Sequence, residues 1–145
     1  MLKFCQVGLT NSITLLSLDL SHNELGPVGI ANLFEKGMHY NNSLIYLDLF
    51  NVDITTNSVP SIINALGQNT SLYSLRMANT HVNLKFLVYL WDFLKQSKTI
   101  KIVRWINISD NITGHADYEP FFINRFDKMM LVDCKLYKVK SRGVY

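Results

Sequence analysis

The sequence predicts an α/β solenoid of about four stacked strand–helix units, with a short parallel sheet on one side and helices on the other. Three observations carry that prediction. The spacing L-x-x-L-x-L-x-x-N-x-L is met at every fixed position by Leu15, Leu18, Leu20, Asn23 and Leu25. It recurs at Leu44, Leu47, Leu49, Val52 and Ile54, at Leu72, Leu75, Met77, Thr80 and Val82, and more loosely at Ile100, Val103, Trp105 and Ile108. The first positions of the copies, 15, 44, 72 and 100, set a period of 28 to 29 residues. Between copies the apolar residues move to helical spacing, and a polar turn precedes each new copy.

Residues Leu2 to Leu9 read as the helix of a unit preceding the first strand; either the chain starts within a stack or that helix alone shields it. In each copy the alternating apolar positions form a short strand with its apolar side inward. One strand–helix unit cannot cover that side, so successive copies must stack. Gly29 to Phe34 and Val59 to Leu66 read as helices, with Asn57 or Ser58 as a cap and Pro60 in the first turn. Asn41-Asn42-Ser43, residues 67–71 and residues 96–99 are the polar turns. Asn23 is expected to bond backbone groups freed where the strand turns away. Val52 and Thr80 replace it, which predicts less regular turns in the second and third copies.

A third helix follows. Leu84, Leu87, Val88, Trp91 and Leu94 make one face, and Phe86, Tyr89, Leu90 and Phe93 fill the remaining circumference. A helix apolar all round is buried on more than one side, by neighbouring helices or by another protein. Residues 113–145 read as a degenerate last repeat that caps the stack: a loop, a short helix from about Pro120, and a last strand through Met129, Val132 and Cys134. The expected division is 1–112 for the repeats and 113–145 for the cap.

Over about residues 13–112 these motifs resemble the leucine-rich repeat family, and the long period resembles its ribonuclease-inhibitor-like subclass. The resemblance implies a right-handed β-α superhelix with the sheet concave and the helices convex. It also implies a concave face used to bind proteins.

Composition excludes several other classes. Of 145 residues, 48% are hydrophobic and 17% charged, which argues against disorder. The longest mostly apolar stretch, Leu84 to Leu94, is too short to cross a bilayer, and Gln6, Thr10, Asn11 and Ser12 interrupt any signal-peptide core. The expected location is intracellular and cytoplasmic. The net charge of +3 divides unevenly: residues 1–72 hold 2 basic and 5 acidic groups, −3, and residues 73–145 hold 12 and 6, +6. Such an asymmetry steers partners or is solvated surface.

No catalytic signature is present: there is no G-x-S-x-G, G-x-x-x-x-G-K or H-E-x-x-H. Cys5 and Cys134 sit at opposite ends of the expected stack, roughly 20 Å apart, and are expected as free thiols. His115, Asp117 and Glu119 alternate like metal ligands but lie in a loop where polar residues are ordinary, so no metal or cofactor is expected. His22, His39 and His81 suggest no site. The N-x-S/T matches at Asn41, Asn69, Asn107 and Asn111 read as coincidence in an asparagine-rich chain.

The candidate binding residues follow from the register. Positions between the inward leucines point out of the sheet in rows: Ser17, Tyr46, Ser74, Ile102; Asp19, Asp48, Arg76, Arg104; and Ser21, Phe50, Ala78, Ile106. Tyr46, Asp48, Phe50, Arg76, Ile102, Arg104 and Ile106 mix large apolar groups with arginine, the composition of a protein-binding patch. The C-terminal Lys135, Lys138, Lys140 and Arg142 offer contacts for acidic protein or RNA, or protect an edge strand.

The expected function is therefore non-catalytic protein interaction, as an adaptor or scaffold subunit of a larger assembly. Two alternatives stay open. One is a regulator, inhibitor or activator, of an enzyme such as a small GTPase. In GTPase-activating relatives a specific arginine loop supports catalysis, and this sequence has no match to it. The other is a basic RNA-associated protein, although no recognised nucleic-acid module is present.

Overall fold

The computed structural model of the chain describes residues 1–82, 89 and 105–107. A π-helical segment, Phe4–Leu9, precedes strand β1 (Ser17–Asp19). Helix α1 (Gly26–Asn32) runs into a second π-helical segment, Leu33–Met38, before strand β2 (Tyr46–Asp48). A 3-10 turn, Thr56–Ser58, opens helix α2 (Val59–Gln68), and strands β3 (Ser74–Arg76) and β4 (Trp105–Asn107) follow. The strands form one parallel sheet in sequence order, β1-β2-β3-β4. Of the third predicted helix only Tyr89 is described; it is helical and exposed. The expected cap at 113–145, with the His115, Asp117, Glu119 cluster, Cys134 and the basic C-terminal residues, lies outside the described residues.

The inward leucines do what their spacing predicts. Leu18, Leu47 and Leu75 stand in one register row. Leu44, Leu47, Leu49, Val52 and Ile54 are buried, as are Leu72, Leu75, Met77 and Val82. Ile30, Leu33, Phe34, Val59, Ile62 and Leu66 close the core from the helical side. Gly26, at φ 64°, turns the chain into α1 in a conformation that favours glycine, and Pro27 fits the first turn, where no N–H is needed. Gly37 lets two helical segments touch: a Cβ there would lie 2.7 Å from Leu9 Cδ2. Cys5 is buried in this cluster as a free thiol, and burial pushes its pKa up.

A polar ladder ties the units together, and its members are the asparagines whose N-x-S spacing looked coincidental. Asn69 Nδ2 donates to Met38 O (2.7 Å) and Asn41 O (2.8 Å), while its Oδ1 accepts from the N–H groups of Ser71 (2.9 Å) and Leu72 (2.7 Å). Asn41 repeats this one unit earlier, donating to Leu9 O (2.8 Å) and Ser12 O (3.2 Å) and accepting from Ser43 N (3.1 Å) and Leu44 N (2.7 Å). Ser12 holds the equivalent position in the first unit, where its Oγ accepts from Leu15 N (3.2 Å). Leu9 O also accepts from Ser12 N–H (3.3 Å) and Ser12 O from Ser43 Oγ (3.0 Å), but each asparagine closes a turn and joins two units through backbone groups that water reaches poorly.

Two expectations are corrected here. The turns after the strands share a left-handed residue in all three units, His22 (φ 56°), Asn51 (φ 56°) and Asn79 (φ 51°), and the third turn departs from the others only in a second one, His81 (φ 59°). Asn23 Nδ2 does donate to Leu20 O (3.0 Å) and Ser21 O (2.9 Å) as predicted. Where it is missing, Val52 N–H donates to Leu49 O (3.1 Å) and Thr80 Oγ1 to Met77 O (2.8 Å), closing the same turn without an amide.

The second correction is the register of the fourth strand. Ser74, Leu75 and Arg76 pair with Trp105, Ile106 and Asn107, so Ile106 takes the row predicted for Val103, three residues on. The interval from Leu75 to Ile106 is 31 residues, against 29 and 28 for the earlier steps. A constant period hid this alternative, because the stretch around residues 100–108 is apolar at both spacings.

The cap of α2 also differs from expectation. Ser58 holds the cap position but makes no side-chain cap bond, and its buried Oγ, like Thr55 Oγ1, has no hydrogen-bond partner. The 3-10 turn satisfies the backbone instead: Ser58 N–H donates to Thr55 O (3.0 Å) and Val59 N–H to Thr56 O. Replacing a working cap by alanine costs about 1 kcal/mol. Ser58→Ala is therefore expected to be neutral or to stabilise by up to about 1 kcal/mol, because it removes an unpaired buried hydroxyl. A urea-denaturation midpoint that falls by the ordinary capping cost would contradict this.

Candidate protein-interaction face

The outward rows meet at Asp48. Parallel pairing sets Tyr46 beside Ser17 and Ser74, and Asp48 beside Asp19 and Arg76. Only 5% of Asp48 is exposed. Tyr46 Oη donates to its Oδ2 (2.9 Å), Arg76 Nη1 pairs with the same oxygen (3.0 Å), and Phe50 N–H donates to its Oδ1 (2.8 Å). Asp19 makes the same turn-closing bond in the first unit, accepting from Ser21 N–H (2.8 Å), but is exposed. An aspartate at the strand end thus fixes the turn, and in the second unit it also anchors an arginine from the third.

The anchored guanidinium lies 4.3 Å from the centroid of the Phe50 ring, where the ring's negative face attracts it. His22 packs edge-on to the same ring at 5.1 Å. A line of side chains continues along the strand exits: Asn79 Nδ2 donates to Asn51 Oδ1 (2.7 Å), and Asn51 Nδ2 lies 3.2 Å from His22 Nδ1. Next to it, His81 Nδ1 lies 3.1 Å from Asp53 Oδ1.

Three groups on this face are pushed away from titrating near neutral pH. Hydrogen bonds from Ser21 hold the Asp19 carboxyl below its usual range. Burial, and then the Asp48 carboxylate beside it, push the Tyr46 phenol up. The bond to Asp48 raises the Arg76 guanidinium further above its already high value. The face therefore offers an ionised carboxylate, a neutral phenol and a charged guanidinium.

Of the predicted residues, the structure brings Tyr46, Asp48, Phe50 and Arg76 together. Asp48 is an internal anchor, while Tyr46, Phe50 and Arg76 remain partly exposed. Ile106 leaves the predicted row, since it stands in register with the inward Leu75; Trp105 and Asn107 take the rows of Ser74 and Arg76. Ile102 and Arg104 lie outside the described residues. Sequence reasoning missed His22. Its signal was recurrence, because His22, Asn51 and Asn79 fall at successive repeat positions and all tolerate left-handed backbone. Among the described residues no three His, Cys, Asp or Glu side chains gather as a metal site, and no helix is long and apolar enough to cross a membrane.

Stacked strand, turn and helix with buried leucines in register define a leucine-rich-repeat solenoid, and the comparisons with known proteins agree. The chain has the leucine-rich-repeat fold, and its sequence is similar to a protein of the ribonuclease-inhibitor type. It is 34% identical over 93 residues to the ribonuclease inhibitor of Mus musculus, an alignment covering 64% of this chain and 20% of the inhibitor. The chain thus spans about a fifth of that relative's length. Its fold is similar to the tropomodulin C-terminal domain solved in structural genomics of Caenorhabditis elegans, with a TM-score of 0.73. That match covers 99% of this chain and 87% of the other at 13% identity, and shows the fold alone. No protein-family profile matches the sequence.

Proposed function

We propose that the chain is a non-catalytic protein-interaction module, an adaptor or scaffold subunit of a larger assembly, that engages its partner through the sheet face around Tyr46, Phe50 and Arg76. One observation carries the reading: Arg76 is held by Asp48 and stacked on Phe50 while still partly exposed. Aromatic and arginine side chains dominate binding energy at protein interfaces, and groups already fixed in place lose little entropy on binding. The buried free thiol of Cys5 supports an intracellular, cytoplasmic location.

Affinity purification with mass spectrometry would identify the partner, and its affinity for variants would test the face. Phe50→Ala and Tyr46→Ala are each expected to weaken binding by about tenfold or more, with circular dichroism confirming the fold. Unchanged affinity in both variants would remove this face from consideration. A salt-resistant protein partner supports the reading; salt-sensitive recovery of RNA favours the RNA-associated alternative.

A second reading, regulation of an enzyme, is favoured by the identity to a ribonuclease inhibitor. Titrating a ribonuclease with the chain tests it directly: loss of activity near stoichiometry supports inhibition, and full activity at excess chain opposes it.

A further inference from the structure

Strand β1 is the open edge of the sheet among the described residues. It bonds β2 through alternate residues: Leu16 O accepts from Tyr46 N–H (3.0 Å), Leu20 N–H donates to Asp48 O (2.9 Å) and His22 N–H to Phe50 O (2.9 Å). Backbone groups of successive residues point to opposite sides of a strand, so those of Ser17 and Asp19 face away from β2. Their register partners show the same division. Tyr46 and Asp48 bond back to β1, while Leu49 N–H and Asn51 N–H bond onward to Arg76 O (2.8 Å) and Ala78 O (3.1 Å). The first unit is also less closed than the next. Leu15, Leu18, Leu20 and Leu25 are half-buried, whereas their counterparts Leu44, Leu47, Leu49 and Ile54 are buried. On the same strand stands Asp19, exposed, kept ionised at neutral pH by the bonds from Ser21, and in no ion pair among the described residues.

We propose that this edge takes, as an added strand, residues 137–142 of a second copy of the chain. That segment lies outside the described residues, and its sequence supplies what the edge lacks. Lys138, Lys140 and Arg142 recur at every second residue around Val139 and Ser141, and residues 134–145 contain no Asp or Glu. An added strand brings backbone partners to Ser17 and Asp19. Side chains alternate between the faces of a strand, so with Val139 in the row of Leu18 the two lysines take the rows of Ser17 and Asp19. Running either way, the strand sets one lysine beside Asp19. Charge along the chain favours a second copy as its source: residues 1–72 carry a net −3 and residues 73–145 a net +6, so the acidic half of one copy attracts the basic half of the next. A further repeat of the same kind fits this edge less well. Asn41 and Asn69 each reach back to two carbonyls of the unit before, but Ser12, at the equivalent place, has a single hydroxyl hydrogen. RNA is disfavoured, because the edge presents a carboxylate to its phosphates. The inference is separate from the face around Arg76, and neither reading depends on the other.

The test uses the full chain and a fluorescein-labelled peptide of residues 135–145, with a control peptide of the same composition in which the basic residues are contiguous. The native peptide is expected to bind at least about fivefold tighter than the control. Ser17→Pro removes an N–H that faces away from β2, a change that edge strands tolerate, and is expected to weaken the peptide by about tenfold or more. Asp19→Asn keeps an acceptor for Ser21 N–H and removes only the charge. About threefold weaker binding at low salt is expected from it, whereas Asp53→Lys, one unit along, changes affinity by less than about twofold. Thermal melts establish that the variants fold. Sedimentation velocity of the chain alone is expected to show association that grows with concentration, and the double variant Lys138→Glu, Lys140→Glu is expected to abolish it. Equal affinity for the two peptides, wild-type affinity in both Ser17→Pro and Asp19→Asn, or a chain that stays monomeric at about 100 μM would each overturn the proposal.

Discussion

Asn69→Ala is expected to lower the free energy of unfolding by about 3–4 kcal/mol, the largest effect of any single polar truncation in the described chain. The side-chain amide makes four hydrogen bonds to the backbone, two to carbonyls of the preceding unit and two from the N–H groups that lead into its own strand. Alanine leaves Met38 O, Asn41 O, Ser71 N and Leu72 N to find other partners, and each unpaired buried group costs about 1–3 kcal/mol. Partial relaxation keeps the sum below the upper limit. Small domains are stable by about 5–15 kcal/mol, so this is a large fraction. Asn69→Asp discriminates the two halves of the amide: it retains the acceptor for Ser71 and Leu72 but directs a carboxylate oxygen at two carbonyls. It is expected to be at least as damaging as alanine at neutral pH. Urea denaturation followed by circular dichroism measures both, and a loss of less than about 1 kcal/mol in Asn69→Ala would refute the ladder's role.

Arg76→Glu is the second large effect. Asp48 is almost fully buried and depends on Arg76, Tyr46 and the Phe50 amide for compensation. Removing one partner of a buried pair costs about 3–5 kcal/mol. The Arg76 side chain is 39% exposed, so solvent screens part of that, and about 2–4 kcal/mol is expected. Glutamate adds like-charge repulsion, and the double variant Asp48→Asn, Arg76→Met, which leaves no charge there, is expected to recover most of the loss. A double-mutant cycle on denaturation midpoints reads the coupling; additive effects would show that the pair is not coupled. Arg76→Glu is consequently a poor probe of binding, since it perturbs stability as well as surface. Phe50→Ala and Tyr46→Ala are the better choices.

Much of this architecture was legible in the sequence because leucine spacing and strand pleat share one physical cause. Alternation with period two fixes which side of a strand is apolar, and recurrence at 28 to 29 residues requires the strands to stack in register. Leu18, Leu47 and Leu75 were therefore placed correctly, and with them the rows that bring Tyr46, Asp48, Phe50 and Arg76 together. The fourth strand was not fixed in this way. Val103 and Ile106 are both apolar, and a slip of three residues leaves the inward positions filled, so periodicity alone does not choose between them.

The sequence by itself determined the repeat, its strand–helix alternation and the identity of the outward rows, since these follow from side-chain periodicity along one chain. What each polar side chain does was decided by tertiary structure. Asn41 and Asn69 look like any N-x-S match until the preceding unit presents its carbonyls. Asp48 looks like a surface charge until Tyr46 and Arg76 close over it, and His22 looks isolated until the next unit brings Phe50 to its ring. The reason is distance: the partners from neighbouring units are 28 to 32 residues apart in sequence but a single strand step apart in the sheet, where burial and hydrogen bonding, unlike periodicity, depend on what the neighbouring unit supplies.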